Sequence, residues 1–370
     1  MSGQKVLVVN SGSSSLKFQL FNTAKGLTAV AKGVIDQIEY LSQLNWASNL
    51  HQDLVGCGHR VVHGKDYPRA ALVDDAITKL IQDGAAMAPL HNPANLLGID
   101  AASKVYPGTP QVAVFDTAFH QTMTPGTYSY ALPKDICQQH GIRKYGAHGT
   151  SYRYLVQETS RILGKPDNEL NLILCHIGAG ASLCAVEKGR SVDTTMGLTP
   201  LEGLVMASRC GDVDPAAVLY LLEHHCGGDI GKADKLLNKQ SGLIGLTGHQ
   251  DLKLVLDDAA AGKEEAITAA EVYVGRIRKY VGAYLMKLNG KVDAIVVAGG
   301  AGEASFDLRQ RIFSGMSAFG LEVDFEKNKA VKRGKAACIS TDGSAMALHV
   351  IPTDEELSIA RQTLEVIHEE

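Results

Sequence analysis

The stretch from Val6 to Leu20, VLVVNSGSSSLKFQL, sets the strongest limit on what this chain can fold into. The apolar run Val6-Leu7-Val8-Val9 breaks into Asn10-Ser11-Gly12-Ser13-Ser14-Ser15 and resumes as the alternating Leu16-Lys17-Phe18-Gln19-Leu20. That pattern is a buried strand, a polar turn and a second strand. Small residues leave the turn's backbone N–H groups unshielded, serine hydroxyls stand beside them, and Lys17 adds a cation, so the turn suits a phosphate. An ordinary serine-rich hairpin loop is the other reading, because any turn selects serine and glycine. A P-loop is excluded: it joins a strand to a helix and closes on Gly-Lys-Ser/Thr, whereas here strand returns to strand.

At 370 residues and 45% hydrophobic content the chain can bury two full cores. No apolar run approaches the roughly 18 residues that would cross a bilayer, and Met1 to Lys5 leads straight into a strand, so a soluble protein without a signal peptide is expected. The seven cysteines are scattered and form no CxxC pair, a usage that fits reduced thiols in a cytoplasm. A net charge of −4 with no sustained basic tract makes neither nucleic acid nor an anionic membrane an evident partner.

Further along, Thr28 to Ile35 reads as a strand, and Leu54 to Val62 as another that carries Arg60 toward His63-Gly64. An Arg inside a Gly-Val-rich strand needs an anion or a polar cleft, unless it is a solvated surface charge. The helix over Asp74 to Met87 stops at Ala88-Pro89-Leu90-His91-Asn92-Pro93, and a second helix runs from Ala94 to Val105. Taken alone, His91 between prolines is a structural turn residue. Gln111 to Phe115 is an apolar strand ending at Asp116, where α/β sheets place their ligands, though Asp also caps helices. His148, ahead of the helix Tyr152 to Leu163, either holds an anion or caps that helix.

Asn171 to Gly180, NLILCHIGAG, repeats the opening logic, and Ala181 to Glu187 resumes as strand. Two such hairpins, about half the chain apart, mark a duplicated fold with one hairpin per domain. Arg209 stands in a Ser-Arg-Cys-Gly-Asp turn before a helix that opens at Asp214-Pro215. It is either an anion ligand or a surface partner of Asp212 or Asp214. Ser241 to Asp251 reads as a glycine-punctuated turn and Lys263 to Leu288 as a long helix. Val292 to Val297 is a buried strand running into Ala298-Gly299-Gly300-Ala301-Gly302-Glu303, small residues that permit close backbone approach to a nucleotide. Ala337 to Ser340 is a last strand, and Ser344 to Ile351 is short and apolar. Thr353 to Ile367 is a terminal helix capped by Thr353, with Asp354, Glu355 and Glu356 complementing its dipole.

These motifs, in this order from about Val6 to about Leu364, resemble the acetate and propionate kinase family, within the superfamily of sugar kinases, actin and the heat-shock chaperone ATPases. The likeness is carried by both hairpins, by GHRVVHG, APLHNPAN and SRCGDVDP, and by the glycine turn after Val297. It implies an α/β fold of two duplicated actin-like (ribonuclease H-like) domains with a cleft between them. The N-terminal domain spans 1–150, with a helix at about 355–370 packing back on it, and the C-terminal nucleotide-binding domain spans 151–354. The implied activity is reversible Mg²⁺-dependent phosphoryl transfer between ATP and acetate or propionate, giving acyl phosphate and ADP, in a cytoplasmic homodimer.

By the same resemblance, Arg60, Asp116, His148 and Arg209 are catalytic, and Arg60, Val62, Leu90, His91, Ala147 and Pro200 meet the carboxylate. Asn10, Ser13, Ser15 and Lys17 hold phosphate in the first domain. In the second, the nucleotide meets His176, Gly178, Ala179 and Gly180, then Asp251, Leu252 and Lys253, then Gly300, Ala301, Gly302, Glu303 and Ala304. Asn10 and Glu355 stand on the magnesium side.

The chain departs from the family pattern at several points. The segment Asp36 to Asp53 is shorter than the family norm, Ala147 stands for Phe, Tyr152 for the usual His, and Ala179 and Ala304 each replace Asn. These changes bear on the acyl pocket and on polar contacts to the nucleotide. They keep open another acid or phosphoryl donor, such as butyrate or pyrophosphate, or a nucleotide-binding paralogue without turnover.

Overall fold

The computed structural model describes residues 4–11, 16–24, 26–35, 53–89 and 91–369. Ser13, Ser15, Leu90 and nearly all of the shortened segment after Ile35 lie outside the described residues. Contacts divide the chain into two units. Unit 1 comprises Met1–Thr122, Tyr145–Tyr154 and Asp354–Glu370, and unit 2 comprises Met123–Lys144 and Leu155–Thr353.

Unit 1 holds a sheet of six strands: β1 (Lys5–Ser11), β2 (Leu16–Asn22), β3 (Thr28–Ile35), β4 (Leu54–Val61), β5 (Ala71–Leu72) and β6 (Gln111–Phe115), in the order β3-β2-β1-β4-β6-β5. Unit 2 holds β7 (Leu172–Ile177), β8 (Ala181–Glu187), β9 (Arg190–Thr194), β10 (Ala294–Ala298), β11 (Ala337–Cys338) and β12 (Ala347–Val350), in the order β11-β12-β10-β7-β8-β9. Read from the opposite edge, the second order repeats the first. In each sheet the leading strand runs antiparallel to its hairpin partner and parallel to the next long strand, as β1 does with β2 and β4, and β7 with β8 and β10. Each sheet also ends on a short antiparallel edge strand, β5 on β6 and β11 on β12. The duplication expected from the two hairpins is therefore present strand for strand.

The continuous apolar run of β1 has a direct cause, since both of its faces are covered. Leu7 and Val9 pack with Leu16, Phe18, Leu20 and Tyr106 on one side, while Val6 and Val8 pack with Val112, Val114, Ile359 and Ala360 on the other. The second group brings in the terminal helix Glu355–His368. Glycines in β4 make room for that helix: a Cβ at Gly56 would overlap Ile367, and one at Gly58 would overlap Thr363 and Ile359. Added methyls in so tight a contact typically cost about 1–3 kcal/mol.

The remaining elements sit close to their expected places, with three corrections. The terminal helix is capped by Asp354, which accepts from the Leu357 N–H, and not by Thr353. An Asp carboxylate is the stronger acceptor for the exposed N–H groups of a first turn. The stretch Ser241 to Asp251 carries a helix, Gly242–Thr247, because Gly242 at φ +66° takes the left-handed turn and frees the next residues to coil. Likewise only Gly299, at φ +85°, turns the chain after β10, and Gly300–Ala304 is already helical. Among the described residues no helix is long and apolar enough to cross a membrane, and all seven cysteines are free thiols.

Candidate active site

In unit 1 the carboxyl ends of β4 and β6 bring Arg60 and Asp116 together. Asp116 is 1% exposed, and its Oδ2 accepts from Arg60 Nε at 3.1 Å and Nη2 at 2.7 Å. Its Oδ1 accepts from Thr150 Oγ1 at 2.7 Å. Glu355, in the first turn of the terminal helix, lies 3.9 Å from Arg60 Nε. Burial opposes the Arg60 charge, yet Asp116 and Glu355 outweigh it and hold the guanidinium above its ordinary range. Burial pushes the Glu355 carboxyl upward, and Asp116 and Glu356 add to that while Arg60 and Lys17 oppose it. Lys17 faces Asn10 across the β1–β2 ladder, and Asn10 Nδ2 reaches Glu356 Oε1 at 3.5 Å.

Asn10, Lys17, Arg60, Asp116, Glu355 and Glu356, drawn from distant parts of the sequence, therefore form one polar cluster. Three carboxylates face two cations there, and an acidic surplus built from hard oxygen donors fits Mg²⁺. Among the described residues no three His, Cys, Asp or Glu side chains form a ready-made cage. Mg²⁺ ordinarily keeps several waters and takes one or two carboxylates plus phosphate oxygens, so the donor set suits it.

Two asparagines, Asn92 of the expected turn and Asn95 of the expected second helix, hold the strand ends in place. Asn92 Oδ1 accepts from His63 N at 3.1 Å, and its Nδ2 donates to His63 O at 2.8 Å. Asn95 Oδ1 accepts from Val62 N at 3.2 Å, and its Nδ2 donates to Ser11 O at 2.8 Å. One helix thus ties the end of β1 to the end of β4. Its opening, Asn92-Pro93-Ala94-Asn95, sets the two amides on adjacent turns, and His91 stands at its N-cap without making a side-chain cap bond. Gly98 is required because a Cβ there would overlap Ser11 Oγ.

His148 adopts φ +59°, a left-handed conformation that a residue with a Cβ seldom takes. The strain is imposed by its neighbour: Gly149 N donates to the Asp116 carbonyl at 3.0 Å, at a spacing that excludes any side chain on Gly149. Asp116 thereby fixes His148 by its backbone as it fixes Arg60 by its side chain. Ala147 and Val62 are nearly fully buried. The Ala147 carbonyl is 2.9 Å from His120 Nε2, and the fully buried Tyr152 ring sits edge-on to His120 at 5.6 Å and beside Phe119.

Unit 2 contains a cavity of about 850 Å³. Its wall brings together Gly178 and Ala179 of the second hairpin, Asp251, Leu252 and Lys253, and Gly300, Ala301 and Ala304. Leu256, Ala260, Tyr273 and Phe306 give it an apolar portion that sequence reasoning missed, since in a helix such residues look like ordinary core. The hairpin is tight, with Gly178 N donating to Gly180 O at 3.1 Å. His176, Gly180, Gly302 and Glu303 are not among the residues that line the cavity. His176 pairs within β7, Gly302 leaves no room for a Cβ against Val297, and Glu303 accepts from Gly299 N at 3.1 Å. Behind them Arg309, 1% exposed, donates to the Gly302 and Glu303 carbonyls and to Asn328, holding the helix Gly300–Ala304 against the cavity.

Arg209 is held by neutral groups. Its Nη1 donates to Pro200 O at 3.1 Å and lies 3.5 Å from Met206 Sδ. The surface-bridge reading fails: Asp214 caps the helix Pro215–His224, and Asp212 is taken by Arg276, Tyr280 and Gly203 N. Arg209 has no carboxylate partner among the described residues, and burial lowers its pKa from the usual value. Its loop joins the cavity through Ala207 N, which donates to Ala179 O at 3.1 Å.

A family model described as the acetokinase family matches residues 5–48 and 40–361. Acetate kinase of Methanosarcina thermophila is 42% identical over 403 aligned residues, covering 99% of this chain and 98% of that protein. Acetate kinase 1 of Vibrio cholerae is 44% identical, covering 97% of this chain and 98% of its own length. Among solved structures, acetate kinase of Porphyromonas gingivalis superposes with a TM-score of 0.90 at 36% identity, over 99% of this chain and 100% of that one. A propionate kinase of Francisella tularensis gives 0.89 at 37% identity, over 98% and 100%.

The two arginines differ in a way that stability measurements should expose. Arg60→Met strips Asp116 and Glu355 of their cation and should lower the unfolding free energy by about 3–5 kcal/mol, the usual penalty for an orphaned buried charge. Arg209→Met removes a desolvated cation that no carboxylate compensates, and the change should stay within about 1 kcal/mol of the parent or be stabilising. Urea denaturation at pH 7 without ligand tests both, and equal losses would contradict the assignment.

Proposed function

The chain belongs to the acetokinase family and is a short-chain carboxylate kinase, and we propose that it transfers a phosphoryl group directly and in line between ATP and acetate or propionate. A carboxylic acid that titrates near pH 4 is ionised at pH 7, so the nucleophile needs no base. A carboxylate oxygen bonds to the γ-phosphorus, the bond from that phosphorus to the β–γ bridging oxygen breaks, and ADP leaves with the electron pair. The work left to the protein is positioning and charge neutralisation.

Arg60 is assigned to the substrate carboxylate, since Asp116 engages Nε and Nη2 and leaves the Nη1 edge available. Arg209 and His148 are assigned to the oxygens of the transferring phosphoryl group. The observation that carries this reading is Arg209 itself, a desolvated guanidinium whose Nε and Nη2 meet no carboxylate. Such a cation is well used only when an anion arrives with the substrate. Asn10 and Glu355 would hold Mg²⁺ through water, and when bound the ion offsets charge on the β- and γ-phosphate oxygens. The unit 2 cavity takes the nucleotide, with phosphates toward Gly178 and Gly300 and the base toward Leu256 and Phe306. The reading of two duplicated domains, the terminal helix belonging with the first, is supported by the strand-for-strand duplication, although Met123–Lys144 group with unit 2 and not with the first domain's 1–150.

Acyl hydroxamate should form from ATP, Mg²⁺, hydroxylamine and acetate or propionate. In that assay Arg209→Ala should lower kcat by on the order of 10²- to 10⁴-fold, the range for a lost charge-neutralising donor. Arg60→Ala should in addition raise KM for the carboxylate. Parent-like kinetics in both variants would remove them from the reaction.

Chain length is expected to follow Ala147. Where a Phe would fill the acyl pocket this chain has a methyl, and Tyr152, the ring best placed to fill the gap, is buried against His120 and Phe119. Each added buried CH₂ of substrate is worth roughly 0.8 kcal/mol, near fourfold in kcat/KM. Propionate should therefore be used at least as well as acetate, and Ala147→Phe should shift preference back. A parent enzyme that prefers acetate by about tenfold, or 1.4 kcal/mol, sinks the idea.

A homodimer is supported by the helix Pro215–His224, which buries none of its residues despite the sequence PAAVLYLLEH. Leu219 is 66% exposed, Tyr220 63% and the nearby Ile230 76%, a patch that marks an association surface. Leu219→Glu with Tyr220→Glu should convert dimer to monomer in sedimentation velocity, and a parent that sediments as a monomer ends the proposal. A cytoplasmic setting is supported by the free thiols.

A further inference from the structure

We propose that Tyr130 is a positioning residue for Arg209, acting through the loop Leu198–Glu202. The proposal rests on the reading above, in which Arg209 meets the transferring phosphoryl group. Tyr130 lies between the short helix Pro125–Tyr128 and the helix Lys134–His140, far from Arg209 in sequence and joined to it by an unbroken series of polar contacts.

The Tyr130 hydroxyl does two things at once. It donates to Glu202 Oε2, and it accepts from Leu198 N at 2.9 Å. One oxygen thus closes both ends of the loop, and Pro200 stands at the tip between them. The Pro200 carbonyl is the group that accepts from Arg209 Nη1 at 3.1 Å. Gly197 shows how tightly the staple is drawn, since a Cβ there would overlap both Glu202 Oε2 and the Tyr130 oxygen.

The staple has a fixed base. Lys144 Nζ stands 3.8 Å from Glu202 Oε1 and 3.4 Å from Asp193, and donates to Thr194 O at 2.9 Å, which ties Glu202 to strand β9. Burial and the facing Glu202 carboxylate keep the phenol protonated and a donor. The far end of the loop is clamped separately. Gly203 N donates to Asp212 Oδ1 at 2.8 Å, and Gly203 O accepts from Arg276 at 2.9 Å. These clamps fix the ends of the segment that contains Arg209. The Tyr130 staple closes the loop around the Pro200 carbonyl, and among the described residues that carbonyl is the oxygen that accepts from the guanidinium.

A residue that acts only through Arg209 should lose its effect once Arg209 is gone, whereas a general support for the fold should not. The test is a double-mutant cycle in the full-length enzyme with Tyr130→Phe, Arg209→Ala and the pair, followed by kcat, both KM values and ADP affinity from calorimetry. Tyr130→Phe alone should lower kcat by on the order of 10- to 100-fold, as a small misplacement of a catalytic group does. ADP affinity should stay within about twofold, and in the Arg209→Ala background Tyr130→Phe should cost less than about twofold in kcat. Glu202→Gln keeps an oxygen for the phenol and should lose at least about fivefold less than Glu202→Ala, which carries the test if Tyr130→Phe does not fold. The same loss from Tyr130→Phe in both backgrounds, or none in the parent, overturns the proposal. Parent-like kcat in Arg209→Ala overturns the reading of Arg209 itself and the proposal with it, and is told apart by that single variant.

Discussion

The ion pair of Arg60 with Asp116 is the constraint on which unit 1 depends. A carboxylate 1% exposed would cost several kcal/mol if left without a partner, so β4 and β6 must lie side by side with their ends in register. That register is observed, with Arg60 opposite Val114 and Val61 opposite Phe115. Once it is set, the backbone of Asp116 receives Gly149, the side chain receives Thr150, and His148 is forced into its left-handed turn. The same pair faces Glu355 at 3.9 Å, in the first turn of the terminal helix, whose apolar side docks on the first sheet through Ile359 and Ala360. One buried charge therefore bears on a strand register and a helix start.

Duplication has placed the same sheet under different demands. In unit 1 the strand ends carry charge, and the leading hairpin faces carboxylates across Asn10 and Lys17. In unit 2 the corresponding ends are neutral and small, with Gly178, Ala179 and Gly300 along a cavity wall. A wall without side chains lets backbone N–H groups approach an anion directly. The topology repeats and the chemistry divides, one copy supplying charges and the other space.

The strands and the two hairpins were legible because an apolar run with both faces covered, as in β1, leaves little else to read. Arg60 and Asp116 were legible as candidates because a charge at a strand end contradicts its surroundings. What stayed hidden was relational. Nothing local to Tyr130 or Glu202 signals that one hydroxyl closes a loop whose tip holds Arg209, and Asn92 looks like a turn residue and Asn95 like an ordinary helix residue until their partners Val62, His63 and Ser11 are known. The cap of the terminal helix went to Thr353 over Asp354 because adjacent cap-forming residues are separable only by backbone angles. Arg309 was invisible for a different reason: most of its acceptors are backbone carbonyls, which every residue has.

The two arginines are compensated differently, and the difference suits the roles proposed for them. Arg60 faces Asp116 and Glu355, so much of its field is already answered before any substrate arrives. Such a site can orient a carboxylate without holding it tightly, and tight holding of the ground state would not speed the transfer. Arg209 is oriented by a carbonyl dipole and a thioether, which fix direction but cancel little charge. A carboxylate in that place would have fixed the side chain equally well and would have opposed the charge that builds on the phosphoryl oxygens. Holding the guanidinium by neutral acceptors sacrifices solvation of the free protein, in line with the lowering of its pKa by burial, and under the assignment proposed above it keeps the full field for the transition state.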